Sequence, residues 1–123
     1  MQGLLFSINS KYTVAHRLLR KNGFDRVIHA ENILDKYFKV FFAQNEEDHA
    51  RLGIIASKKA LPLAADRNFA KRVIRETFRQ HGIKAHKVDL VVMVRRACLQ
   101  EGISQNKTLE MLFSRIQNRC AKQ

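Results

Sequence analysis

Residues 57–79 read SKKALPLAADRNFAKRVIRETFR, and this stretch restricts the chain more than any other. It carries seven basic residues (Lys58, Lys59, Arg67, Lys71, Arg72, Arg75, Arg79) against two acidic ones (Asp66, Glu76). From Asp66 to Gln80 the pattern predicts a helix with about 100° between neighbours. On that wheel Arg67, Lys71, Arg75, Arg79 and Arg72 span an arc of about 140°, with Asn68 among them. Phe69, Ala70, Val73, Ile74, Thr77 and Phe78 fill most of the opposite side and are expected to face a core. Like charges one turn apart repel each other, and a polyanion lying along the helix relieves that repulsion. Solvated surface helices usually mix Glu with Lys, whereas only Glu76 dilutes this one. The helix therefore points first to nucleic acid.

The rest of the chain supports a folded domain under that patch. Residues 1–123 are expected to form a single RNA-binding domain, with about 1–12 less ordered. A hydrophobic content of 46%, one proline and five glycines exclude a disordered basic tail. Residues 51–96 hold 12 Lys/Arg and 3 Asp/Glu, so +9 of the formal +12 charge is concentrated there. The longest apolar run near the N-terminus, Gly3 to Ile8, is too short to span a bilayer and has no signal-peptide pattern. Cys98 and Cys120 form no CxxC motif and are expected as free thiols in a cytoplasmic protein. The five histidines (His16, His29, His49, His81, His86) show no metal-binding spacing, so no metal site and no bound cofactor are expected.

The coarse element order reads α-β-β-α-β-α, with room for an additional short N-terminal strand. A short helix is expected over Gly23–Ala30, with Asn22 as its N-cap. Tyr37–Phe42 reads as a strand with Phe38, Val40 and Phe42 on one face and Lys39 and Phe41 on the other. Gln44–Ala50 reads as a hairpin loop, and Arg51–Lys58 as the second strand of that hairpin. Asp66 is a plausible N-cap for the basic helix and Gly82 a C-terminal glycine. Val88–Val94 has the near-continuous apolar character of a central strand covered on both faces. Asn106–Cys120, with Leu109, Leu112, Phe113 and Ile116, reads as a closing helix. The fold class is α+β: a small sheet packed with helices in an α-β sandwich.

No catalytic constellation stands out. The carboxylates are scattered, apart from the Glu46-Glu47-Asp48 run, which reads as a solvated acidic turn. His81 and His86 flank a glycine turn beside the basic helix, and a histidine-dependent nuclease is the reading they would support. Phe41 and Phe24 offer another possibility, since bases stack on aromatic rings in sequence-tolerant single-strand binding. The residues read as a binder.

Ser57-Lys58-Lys59 followed by Arg67-Asn68, Lys71-Arg72 and Arg75-Glu76 resembles the signature of the bacterial ribonuclease P protein subunit. Leu18, Phe24 and Val27 resemble that family's N-terminal helix, RLGIIASKK its central strand and VDLVVMVRRA its last strand. Two positions depart from it: Phe69 stands where the family generally has arginine, and Arg96-Ala97 where it often has arginine-proline. The resemblance implies the ribosomal protein S5 domain 2-like fold, with a left-handed βαβ crossover through the signature helix. It further implies a subunit of an endoribonuclease that removes the 5′ leader from precursor tRNA. Catalysis and magnesium would belong to the RNA subunit, and no protein partner would be required.

Two groups of site residues follow. Lys58, Lys59, Arg67, Asn68, Lys71, Arg72, Arg75 and Arg79 are expected to contact the RNA subunit. Phe24, Ile28, Lys39, Phe41 and Ile55 are expected to line the leader cleft, bordered by Lys59 and Asn68. Three alternatives remain open at the level of sequence: a general or ribosomal RNA-binding protein on the same fold, a stand-alone nuclease, and a DNA-compacting protein.

Overall fold

The computed structural model describes residues 16–18, 23–96 and 106–121. Their elements are helix α1 (Phe24–Ile28), strands β1 (Glu31–Leu34), β2 (Phe38–Gln44) and β3 (Arg51–Ile55), helix α2 (Ala64–Gln80), a 3-10 turn (Gly82–Ala85), strand β4 (Val88–Val94) and helix α3 (Asn106–Ala121). The expected order holds with one strand added. β1 was not legible because only Ile33 of its four residues is buried. The expectations for residues 1–12 and Cys98 lie outside the described residues.

The sheet order is β1-β2-β4-β3. β1 and β2 form an antiparallel pair, β2 and β4 are antiparallel, and β3 runs parallel to β4. The hairpin expected between β2 and β3 is therefore corrected: β4 lies between them. The reason is burial. Six of the seven residues of β4 are buried, and a strand with both faces apolar gains most from a central position. The polar segment after β2 closes onto the entry to β4 instead, through Asn45 N–H to Lys87 O (3.1 Å) and Ala50 N–H to Lys84 O (3.0 Å). Before α1, residues 16–18 touch the outer edge of β3. Arg17 forms an isolated parallel bridge to Leu52, and Leu18 N–H donates to Leu52 O. That contact covers part of an otherwise open strand edge.

Alternation divides the sheet into two faces. Phe38, Val40, Phe42, Leu52, Leu90, Val92 and Val94 pack with Ala70, Ile74 and Phe78 of α2 and with Leu109, Leu112, Phe113 and Ile116 of α3. Phe41 and Val91 point the other way, into a smaller cluster with Leu18, Phe24 and Val27. Gly53 is required there: a Cβ at that position would lie 2.7 Å from Phe24 Cε2 and 3.2 Å from Leu18 O. Three helix ends differ from the expected ones. Gly23, at φ 97°, occupies the N-cap of α1. α2 starts two residues before Asp66, with Leu63 as its N-cap. It ends at His81 in an extended conformation, and Gly82 opens the 3-10 turn.

Asp89 joins these layers at one end of the sheet. Its side chain is fully buried (0% exposed). Arg51 donates to both carboxylate oxygens at 2.8 Å, Arg26 from α1 to Oδ2 at 2.7 Å, and Asn45 to Oδ1 at 2.8 Å. The carboxylate's hydrogen bond raises the Arg51 pKa above its ordinary value. Removing one partner of a buried ion pair strands the other. Asp89→Ala is therefore expected to lower stability by about 3–5 kcal/mol in denaturant unfolding, against less than about 0.5 kcal/mol for a surface change such as Asp48→Ala.

Candidate RNA-binding surface

Ser57 builds the start of the basic region. Its Oγ accepts from Ala60 N–H and its carbonyl from Leu61 N–H, closing a turn that buries Ala60 and Leu61. Lys58 and Lys59, inside that turn, are left exposed. Leu61 anchors the segment, so both ammonium groups are held at the point where β3 ends and the approach to α2 begins.

On α2 the buried stripe is Ala70, Ile74, Thr77 and Phe78. This is rotated from the sequence expectation, in which Phe69 and Val73 shared the apolar side. Phe69 is 43% exposed and Val73 is half-buried. The sheet and α3 select which side chains are covered, whereas a wheel sorts residues only by type. Arg67, Lys71, Arg75 and Arg79 consequently flank the buried stripe and are half-buried, while Asn68 and Arg72 face solvent.

The cations on that flank are partly committed within the fold. Arg67 Nη1 donates to the carbonyls of Leu61 and Pro62, both at 2.9 Å, which ties the connection to the helix. Arg75 Nε donates to Lys71 O at 3.3 Å, and Arg79 pairs with Glu76. Lys58, Lys59 and Arg72 are thus the most open cations of the region, with Lys71 and Arg75 beside them.

The opposite face of the sheet brings together the five residues expected for a cleft. Phe24 and Phe41 are buried in one cluster, with Ile28 and Ile55 packed against it. Lys39 Nζ lies 5.0 Å from the Phe41 ring centroid. The register separates two rows across this face. Asn32, Phe41, Val91 and Gly53 are aligned, and α1 closes over the buried part of that row. Leu34, Lys39, Met93 and Ile55 form the next row; Leu34 is 48% exposed and the other three are half-buried. This second row is the open floor. Its members Leu34 and Met93 escaped sequence reasoning, because placing them needs the β1 and β4 registers. Phe41, expected as an exposed platform, is only 8% exposed.

The histidines proposed for a nuclease are engaged structurally. His81 Nδ1 accepts from Ile83 N–H, which leaves Nε2–H to donate to Ser114 Oγ at 3.0 Å. Burial is the largest influence holding its pKa below the ordinary histidine value. The Gln117 amide donates to His86 Nε2 at 3.1 Å. Both rings join the 3-10 turn to α3. Among the described residues no three His, Cys, Asp or Glu side chains are grouped to hold a metal ion, and no helix is long and apolar enough to cross a membrane.

The family model described as Ribonuclease P matches residues 13–117. The chain belongs to the ribonuclease P protein family. It is 41% identical over 106 residues to the ribonuclease P protein component of Legionella pneumophila (strain Lens), covering 81% of this chain and 91% of the relative. The corresponding protein of Thioalkalivibrio sulfidiphilus is 37% identical over 107 residues, covering 85% and 89%. Among solved structures, a Staphylococcus aureus RNase P protein mutant with defective mRNA degradation activity superposes with a TM-score of 0.74 at 32% identity, covering 93% of this chain and 96% of that one. The Thermotoga maritima RNase P protein, in complex with 1-(4-fluorophenyl)-2-thiourea, gives 0.68 at 29% identity, covering 79% and 97%. As a ribonuclease P protein component, the chain is a subunit of the endoribonuclease that matures tRNA 5′ ends, and it works with ribonuclease P RNA.

The two kinds of arginine on α2 should separate experimentally. Arg72→Ala is expected to weaken binding to ribonuclease P RNA and to flatten the log–log salt dependence by about one contact, with unfolding unchanged. Arg67→Ala is expected to cost about 1–2 kcal/mol of stability, because it releases two carbonyl acceptors. Filter binding over a salt series together with denaturant unfolding reads both effects.

Proposed function

We propose that the subunit holds ribonuclease P RNA through Lys58, Lys59 and α2, and holds the single-stranded 5′ leader of precursor tRNA along the open sheet row Leu34–Lys39–Met93–Ile55. The carrying observation is a continuity of surface. Ile55 ends β3, and the turn exposing Lys58 and Lys59 follows three residues later. A strip of half-covered apolar side chains thus runs directly into a cationic region. Unpaired nucleotides suit such a strip: bases lie on apolar side chains, cations meet phosphates, and little sequence is read. α1 forms the wall, with Phe24 and Ile28 as its cleft side and Phe41 supporting it from below.

In this reading the RNA subunit supplies the active site and its magnesium ions, and the protein contributes binding and placement. Holding the leader on a rigid sheet converts part of the substrate's search into a bound geometry, which is where a non-catalytic subunit lowers a barrier. The work is cytoplasmic, alongside precursor tRNA. Five phosphate contacts by Lys58, Lys59, Lys71, Arg72 and Arg75 would give a log–log salt slope of roughly −3.5 to −4.5 for RNA binding, fewer than the six that sequence alone suggests because Arg67 is tied to Leu61 and Pro62.

Two outcomes test the proposal. The purified protein, given precursor tRNA and magnesium without the RNA subunit, should cleave nothing; specific 5′ maturation by protein alone would return the activity to His81 or His86. In the reconstituted holoenzyme, Lys39→Ala and Met93→Ala should each weaken binding of leader-bearing precursor tRNA by roughly 3- to 10-fold while mature tRNA binding holds. Equal losses for both RNAs would assign the protein a general RNA-binding role without a leader site.

A further inference from the structure

Phe69 is a large apolar side chain facing water on the most cationic helix of the protein. It is 43% exposed, although the core is one helix face away. We propose that Phe69 is a stacking platform for an unpaired nucleobase of ribonuclease P RNA, with Arg72 holding the adjoining phosphate; the proposal rests on the reading of α2 as an RNA-binding helix.

The arrangement of neighbours selects this ligand. Arg72 and Val73 lie three and four residues on, next to Phe69 on the same side of the helix. Glu76, seven residues on, would repel a phosphate, but its carboxylate is paired with Arg79. Beyond Val73 a groove of about 230 Å³ opens between α2 and the start of α3, lined by Arg72, Val73 and Thr77 and by the carboxylates Glu76 and Glu110, so it suits an uncharged base edge and leaves the phosphate to Arg72. The surface therefore presents an aromatic ring, an exposed guanidinium and an adjacent recess.

An apolar protein partner seated on Phe69 would have to desolvate the exposed Arg72 guanidinium beside it, an unfavourable step without a matching carboxylate. Nucleic acid supplies both halves of the complement, a flat apolar base face and a phosphate one bond path away. The base has to be unpaired and unstacked, since a base inside a continuous helix has both faces covered by its neighbours. A ring in this position adds affinity without adding a phosphate contact. Its contribution should then be independent of salt, unlike that of every cation around it.

The chain contains no tryptophan, so Phe69→Trp introduces a single indole at the proposed contact. The experiment measures binding of Phe69→Ala, Phe69→Trp and the native protein to ribonuclease P RNA over a salt series, with tryptophan fluorescence for the second variant and thermal unfolding for all. Phe69→Ala is expected to weaken binding roughly 5- to 100-fold with an unchanged salt slope and intact folding. Phe69→Trp is expected to bind as the native protein does, with its fluorescence quenched by the RNA. Unchanged affinity in Phe69→Ala, a Trp variant as weak as the Ala variant, or unquenched fluorescence overturns the stacking role. Self-association of the native protein that Phe69→Ala abolishes would also overturn it, giving the ring to a second copy. Arg72→Ala is the control for the underlying reading. If its salt slope matches that of the native protein, α2 itself is not the RNA contact; if it flattens while Phe69→Ala is neutral, only the stacking role fails.

Discussion

A carboxylate with no access to water sets the arrangement of this protein. Asp89 enters β4 at the end of the sheet where β2 leaves, and three side chains from different segments converge on it. Taking a charge out of water costs several kcal/mol unless the interior returns that energy in hydrogen bonds. Here Arg51 returns it in a bidentate geometry, which fixes the β3–β4 register where those strands begin. Asn45 ties in the loop that must pass over β4, and Arg26 reaches across from α1. A single ion cluster therefore pins the β3–β4 register, the loop path and the helix position together. The functional consequence runs through Arg26, because α1 is the wall of the proposed cleft.

The unequal cover on the two sheet faces is the second constraint. Two long helices, of 17 and 16 residues, close one face. α1 has five residues, a length of about 7.5 Å, while four strands are about 14 Å wide. Its Phe24 and Val27 pack on Phe41 and Val91, and the row beyond them stays half-covered. Gly53 brings Phe24 down onto the strand, so α1 sits close rather than sliding outward. The half-covered side chains of the open row are suited to single-stranded nucleic acid.

The cationic helix shows how a fold tolerates a concentration of positive charge. Arg67 gives its donors to two carbonyls, Arg75 reaches back to Lys71 O, and Arg79 pairs with Glu76. These contacts use the arginines nearest the buried stripe as structural ties. The remaining open charge is concentrated on Lys58, Lys59 and Arg72, with Lys71 and Arg75 partly accessible. A polyanion therefore meets a narrower set of cations than a count of basic residues suggests.

Local pattern and composition determined much of this in advance. The strand Val88–Val94 and the helix Asn106–Ala121 could be read almost to their ends, because a seven-residue apolar run and a 3.6-residue period are properties of neighbouring residues. The alternation of Phe38, Val40 and Phe42 against Lys39 and Phe41 separated the two faces of β2, and the charge pattern of residues 57–79 identified the basic helix. The tertiary structure alone decided the insertion of β4 between β2 and β3, because strand order depends on which strand gains most from burial on both faces. It also decided the rotation of α2, which exposes Phe69 and turns Arg67 inward, since packing partners rather than residue types choose the covered side. Leu34 and Met93 joined the open row for the same reason: a register is a relation between distant segments, and a local pattern does not contain it.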